Sequence, residues 1–339
     1  MTANPSLQRA LRLPRDFALI AVGLDAVMFV INMTLLLAPS TPEAEQMRGA
    51  YTMPGVWVTL LAGMAMSWLL AAALSWSHGR HALERQGAAR VALAHDARLR
   101  FGGVWVLAMV LNYYALTPLF YEIQVMFMPG GRLEGVFAYS PRLYMGVAMT
   151  LQSLVQMAVL VLGLWLAARI ALMKSRVAGA PAQEEGAAGE PLPGSPRRAV
   201  ALLVGALFAA LQLWSGLAVA RWAPPSSDLA VGMLLLTWVL PAVVTFALAA
   251  WGGWLGTRPG LLLARPFRAV AAAVSAFLLV QVSCIAVALA WLFVAAKTSF
   301  SFYSGGGIIG FVLASVLLYT AMAVVLARAA TRVLYRRYL

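Results

Sequence analysis

Asp25 is the residue best placed to do chemistry in this chain. It lies eight residues beyond Phe17, where an apolar stretch begins, so ~12 Å along a helix that rises 1.5 Å per residue. A carboxylate at that depth in hydrocarbon costs ~2.5–3.5 kcal/mol on insertion scales, and such residues mark ion or substrate paths. Its own depth offers no basic partner. Arg169, Arg221, Lys297 and Arg328 all stand near the ends of apolar stretches, and Arg169 is the best long-range candidate. The expectation is a proton or cation site in a water-accessible or amide-lined cavity.

Carboxamides recur at similar depth. Asn32 follows Asp25 by seven residues and shares its face, and Gln152 and Gln156 stack at i, i+4. Asn112, Gln212 and Gln281 fall ~15–20 Å into three other apolar stretches, so one interior belt would collect all six amides with Asp25. Taken singly, such amides are plain interhelical hydrogen bonds, worth ~0.6 kcal/mol each. Glu122 is a candidate for an outer vestibule with Arg132, Glu134 and Arg142 of the loop MPGGRLEGVFAYSPR. Its surroundings (Tyr113, Tyr114, Phe120, Tyr121, Phe127) also suit interfacial anchoring, which would leave Glu122 a solvated rim charge.

Other chemistries lack their residues. His78, His81 and His95 all fall in one polar segment, so no imidazole is available at membrane depth for a bis-histidine haem or an intramembrane protease. The HxxH spacing and the pair His95–Asp96 do not amount to converging ligands, and no metal site is expected. The lone Cys284 forms no intrachain disulfide and reads as a small packing residue. Ser215–Gly216 and Ser304–Gly305 lack a base and a GxSxG context. Walker, CxxC and dinucleotide motifs are missing from the sequence, so no cofactor and no catalysis are expected. A lipid-handling enzyme would need groups that the sequence does not assemble.

The elements that position these residues are eight apolar stretches, at 17–38, 54–76, 101–127, 143–173, 199–222, 229–255, 269–296 and 308–327. Each reaches the ~20 residues that a helix needs to cross ~30 Å of hydrocarbon. With 62% hydrophobic and 11% charged residues, the expected fold is all-α: a polytopic integral membrane protein of eight transmembrane helices arranged as 4+4. One alternate set of connections holds Arg9, Arg12, Arg15, Arg80, Arg85, Arg90, Arg98, Arg100, Arg169, Lys174, Arg176, Arg197, Arg198, Arg258, Arg265, Arg268, Arg328, Arg332, Arg336 and Arg337. The other holds only Arg48, Arg132, Arg142, Arg221 and Lys297. The positive-inside bias puts the first set, and with it both termini, in the cytoplasm. The net charge of +13 then reflects topology and contact with anionic headgroups, not nucleic acid. Heavy Ala, Leu and Gly usage, with arginine in place of lysine, suggests a GC-rich bacterial gene and an inner-membrane location. The first stretch is long, carries Asp25 and ends at Pro39, so it reads as a retained helix rather than a cleaved signal.

The low-complexity segment 177–196 (VAGAPAQEEGAAGEPLPGSP) reads as a flexible cytoplasmic linker between a first half, 1–176, and a second, 197–339. Any internal repeat would be parallel, because each half begins and ends on the same side. Pro118 and Pro241 fall inside the third and sixth stretches and should kink them. Gly252 with Gly256, Gly306 with Gly310, and Gly63 with Ser67 stand at the i, i+4 spacing that lets helices approach. Residues 78–100 suit either an interfacial helix or extensions of the flanking spans. Two readings follow. One is a carrier of a small solute or lipid-related molecule, proton-coupled through Asp25. The alternative is a non-catalytic structural or assembly subunit of a membrane complex, held to a membrane-protein partner.

Overall fold

A computed structural model describes residues 5–94, 96–128, 130–137, 141–173, 195–222, 231–297 and 305–336. The expected linker 177–196 lies outside them except for its last two residues, as do His95, Lys174, Arg176, Ser304 and Arg337. Among the described residues there is no strand. In chain order the helices are α1 (Pro5–Leu11), α2 (Leu13–Leu37), α3 (Pro42–Tyr51), α4 (Pro54–Gln86), α5 (Ala88–Ala92), α6 (Ala97–Leu111) and α7 (Thr117–Phe127). They continue with α8 (Pro141–Ala171), α9 (Pro196–Trp222), α10 (Val231–Leu234), α11 (Leu240–Gly256), α12 (Pro266–Lys297) and α13 (Gly305–Tyr335). Eight helical stretches, from Leu13–Leu37 to Ile309–Tyr335, are long and apolar enough to cross a membrane. They overlap the eight read from the sequence.

Local sequence explains many of the boundaries. α1, α3, α4, α8, α9 and α12 all open on proline, whose fixed φ suits the first helical position and whose missing N–H has no partner to lose there. Gly87 ends α4 at φ +78°, in a region that residues with a Cβ rarely adopt. α4 therefore runs on through His78 and Glu84, an extension of the second span, before the short α5. Its 33 residues make it about 50 Å long, well beyond the hydrocarbon. The connection after α2 is itself partly helical. Arg48 reaches back from α3 to donate to the carbonyls of Leu37 (2.6 Å) and Pro39 (3.0 Å), capping the carbonyl end of α2.

The two internal prolines produce something more specific than kinks. Asn112–Leu116 and Leu235–Val239 are π-helical turns, and each begins six residues before its proline, Pro118 or Pro241. Proline lacks an N–H, and its ring crowds the carbonyl four residues back, Tyr114 or Thr237. Widening the preceding turn relieves that clash. In the first case the Thr117 N–H and hydroxyl both donate to the Asn112 carbonyl, the hydroxyl at 2.9 Å.

The described residues divide into two compact units, those within Met1–Gly194 and Leu213–Pro241, and those within Ser195–Gln212 and Ala242–Leu339. In the first, α2 packs on α4 and α6, and α8 packs on the same two helices, closing a four-membered ring. One end of this ring is dry. Phe17 and Phe101 are fully buried and stack with ring centroids 4.2 Å apart, and Leu70, Leu74 and Leu164 are fully buried with them. Gly79 lies so close to α2 that an added Cβ would stand 2.9 Å from Pro14 Cα. Charged pairs tie the same end. Asp16 meets Arg98, and Arg80 donates to Glu84 at 2.6 Å with both side chains almost fully buried.

The second unit packs more tightly. Cβ atoms added at Gly252 and Gly256 of α11 would fall 2.5 and 2.6 Å from the carbonyls of Val324 and Arg328 on α13, so this small-residue pair is a close helix contact. Gly205 of α9 is held as closely by Phe246 and Ala250 of α11. Phe208 of α9 meets Phe277 of α12 edge-on, 5.6 Å between centroids. Helix ends are stitched by polar side chains. Arg197 donates to the Trp254 carbonyl and Thr257 hydroxyl while lying 4.2 Å over the Trp254 ring. Arg268 donates to the Leu334 carbonyl, and Tyr335 to that of Arg265.

Candidate functional site

The inner stripe of α2 runs Phe17, Ala21, Asp25, Phe29, one residue per turn. Its first two members belong to the dry end, and the next two line a cavity of about 420 Å³. The other helices of the ring change character with it. On α4, Leu74 and Leu70 give way to Ser67, Met64, Gly63 and Leu60 at the cavity wall. On α6, buried Phe101 is followed by Trp105 and Met109, and the π turn then adds Asn112 and Tyr113. α8 contributes Ser153, Gln156, Val159 and Leu160, and the Leu213–Pro241 segment contributes Trp214.

Asp25 is half-buried and is held by an indole. Trp68 Nε1 donates to its Oδ2 at 2.7 Å, a bridge from α4 to α2. Among the described residues, Asp25 is the only charged one on the cavity wall, which includes no Lys, Arg or His. Arg169, the partner expected from the sequence, is exposed and stacks on Trp165 of its own helix, 5.2 Å from the ring centroid. Asn112 Oδ1 is buried and accepts no hydrogen bond among the described residues. Trp105, also on the wall, spends its N–H on the Ala21 carbonyl at 3.2 Å. A carboxyl group, an unfilled acceptor and several aromatic rings therefore surround one space.

The single polar belt expected from the sequence does not form around this cavity. Asp25, Asn112 and Gln156 line it; Asn32, Gln152, Gln212 and Gln281 do not. Asn32 lies almost two turns beyond Asp25 and accepts a bond from the Tyr114 hydroxyl at 3.3 Å. Gln152 accepts from Gln124 of α7 at 3.4 Å, so the i, i+4 pair with Gln156 splits between a helix contact and the cavity. Gln212 and Gln281 belong to the second unit. There Gln212 Oε1 accepts from Gln281 Nε2 at 3.0 Å and from the Tyr319 hydroxyl at 2.6 Å, a network joining α9, α12 and α13.

The vestibule group is also dispersed. Glu122 and Arg132 are exposed, and Glu134 folds back to accept the Gly130 N–H at 3.0 Å. The side chain of Arg142 lies outside the described residues. Of the small-residue pairs, Gly63 with Ser67 lines the cavity instead of a helix contact, and a Cβ added at Gly63 would meet nothing within 4 Å. Among the described residues no three of His, Cys, Asp and Glu gather as metal ligands.

No protein-family model, curated protein or solved structure matches the chain. The site must therefore be read from its own geometry. Reading for polar residues alone misses the aromatic wall: Phe29, Trp105, Tyr113 and Trp214, with Trp68 behind it. One signal was available. Tryptophan in membrane helices gathers at the two interfaces, yet Trp68 and Trp214 fall in mid-stretch.

Proposed function

We propose that this chain is a multi-pass membrane protein of the bacterial inner membrane that carries a small solute, with Asp25 as its proton- or cation-handling group. The observation that supports it is the ring of α2, α4, α6 and α8, sealed at one end by Phe17 and Phe101 and hollow beside Asp25. A carboxyl inside a cavity of ligand size can be approached by water and solute without meeting lipid. The proposal includes the 4+4 layout with a linker at 177–196, both termini in the cytoplasm and contact of the arginine-rich ends with anionic headgroups. It assigns no catalytic step.

The test is proton movement. Purified protein in liposomes loaded with a pH-sensitive dye is offered pools of small organic cations, zwitterions and neutral solutes. Wild-type protein is expected to move protons in response to at least one pool, and Asp25→Asn, which keeps shape but cannot ionise, to lose at least nine-tenths of that flux. Equal flux in Asp25→Asn, or no solute-dependent flux with any pool, contradicts the reading. Retention by a co-purifying membrane protein, together with absent flux, would replace it with the subunit reading.

A further inference from the structure

We propose that the cavity takes an organic cation, a positive ammonium-type group on an apolar body, with the charge seated at Asp25. This deepens the carrier reading and rests on the same cavity. The argument begins from what the wall offers. Its acid, Asp25, is unopposed, since none of the described residues on the wall is Lys, Arg or His. Asn112 Oδ1 adds a buried acceptor with no partner among the described residues. The Trp105 N–H is already committed to the Ala21 carbonyl, and the Trp68 N–H to Asp25. An anion would meet a repelling carboxylate with no Lys, Arg or His on the described wall to offset it.

The aromatic rings complete the match. Phe29, Trp105, Tyr113 and Trp214 line the space around Asp25. Ring faces attract a cation within about 6 Å of their centroids, most strongly where water is excluded, and also cover its apolar body. A small inorganic cation has no apolar body for these rings to cover.

A proton and the cation compete for one carboxylate: protonated Asp25 plus ligand cation yields the carboxylate–cation pair plus one free proton. Binding therefore weakens as pH falls. The described groups facing Asp25 leave it the only carboxylic acid among them on the wall. α4 presents Trp68 and Ser67, the π turn after α6 presents Asn112 and Tyr113, α8 presents Ser153 and Gln156, and Trp214 is neutral.

The experiment is titration calorimetry of the full chain in detergent with benzyltrimethylammonium and its uncharged carbon isostere neopentylbenzene, and with choline and 3,3-dimethylbutan-1-ol. At neutral or higher pH at least one cation is expected to bind tenfold or more tightly than its isostere. That preference is expected to disappear in Asp25→Asn. Gly63→Leu, which fills the cavity from a position with open space, is expected to abolish binding while the protein stays monodisperse. Equal binding of cation and isostere, or an unchanged preference in Asp25→Asn, overturns the proposal. Solute-driven proton flux without cation preference overturns it while leaving the carrier reading intact. Cation binding without any flux upholds the site and removes the carrier.

Discussion

Asp25 and Trp68 set the chemistry at the scale of single residues. Trp68 Nε1 donates to Asp25 Oδ2 and fixes that oxygen at the cavity wall, and a hydrogen bond to an ionised group contributes ~1.5–3 kcal/mol. Replacing Trp68 by Phe keeps an aromatic ring, smaller than the indole, and removes that donor. Binding of benzyltrimethylammonium to Trp68→Phe is expected to weaken roughly tenfold. Unchanged binding would mean that the indole only packs. Asp25 itself was legible in the sequence, because a carboxyl deep in an apolar stretch has few uses. The fates of the amides were not. Gln212 and Gln156 look alike in sequence, yet one closes a network with Gln281 and Tyr319 while the other lines a cavity. Which partner an amide finds depends on the rotation of its neighbours, and periodicity alone does not fix that.

Among the elements, the π turn at Asn112–Leu116 matters most for the site. It holds one residue more than an α turn would, so everything on one side of it is rotated by about 100° against a regular helix. Trp105, Met109, Asn112 and Tyr113 share one face by ordinary i, i+4, i+7 and i+8 spacing, so the rotation falls beyond the turn on α7, whose Gln124 donates to Gln152 of α8. Pro118→Ala restores the missing N–H and lets the helix relax to a regular α-helix. The variant is expected to unfold at the same temperature as wild type or slightly higher, and to lose at least nine-tenths of solute-driven proton flux. Retained flux in a regular helix would show that the π turn is incidental. Pro118 was visible as a break in the sequence, and the form of the break was not. A kink and a π turn answer the same steric clash, and the hydroxyl of Thr117 on the Asn112 carbonyl accompanies the second.

For the whole molecule, the number of apolar helices was legible because hydrocarbon thickness sets their length. Their starts were less so: Pro141, Pro196 and Pro266 open helices two or three residues before the apolar stretches begin. Their interiors differ in ways that composition hides. The second unit is drawn together by Gly205, Gly252 and Gly256 and satisfies its amides internally. The first is tight where Phe17, Phe101 and Gly79 meet, and hollow beside Asp25. An Ala/Leu-rich sequence fills either kind of interior. Only the order of large and small residues along each inner stripe, Phe17, Ala21, Asp25, Phe29 on α2, separates them.

The most direct measurement compares two neighbouring positions on one face of α4. Ser67 lines the cavity, and Ala71, one turn further, is 1% exposed in the dry end. In a Cys284→Ser background, Ser67→Cys and Ala71→Cys are each treated with the water-soluble thiol reagent (2-(trimethylammonium)ethyl) methanethiosulfonate. The hydrated cavity predicts rapid modification of Ser67→Cys, blocked by adding Gly63→Leu, and negligible modification of Ala71→Cys. Equal rates at the two positions, or an inert Ser67→Cys, would contradict it.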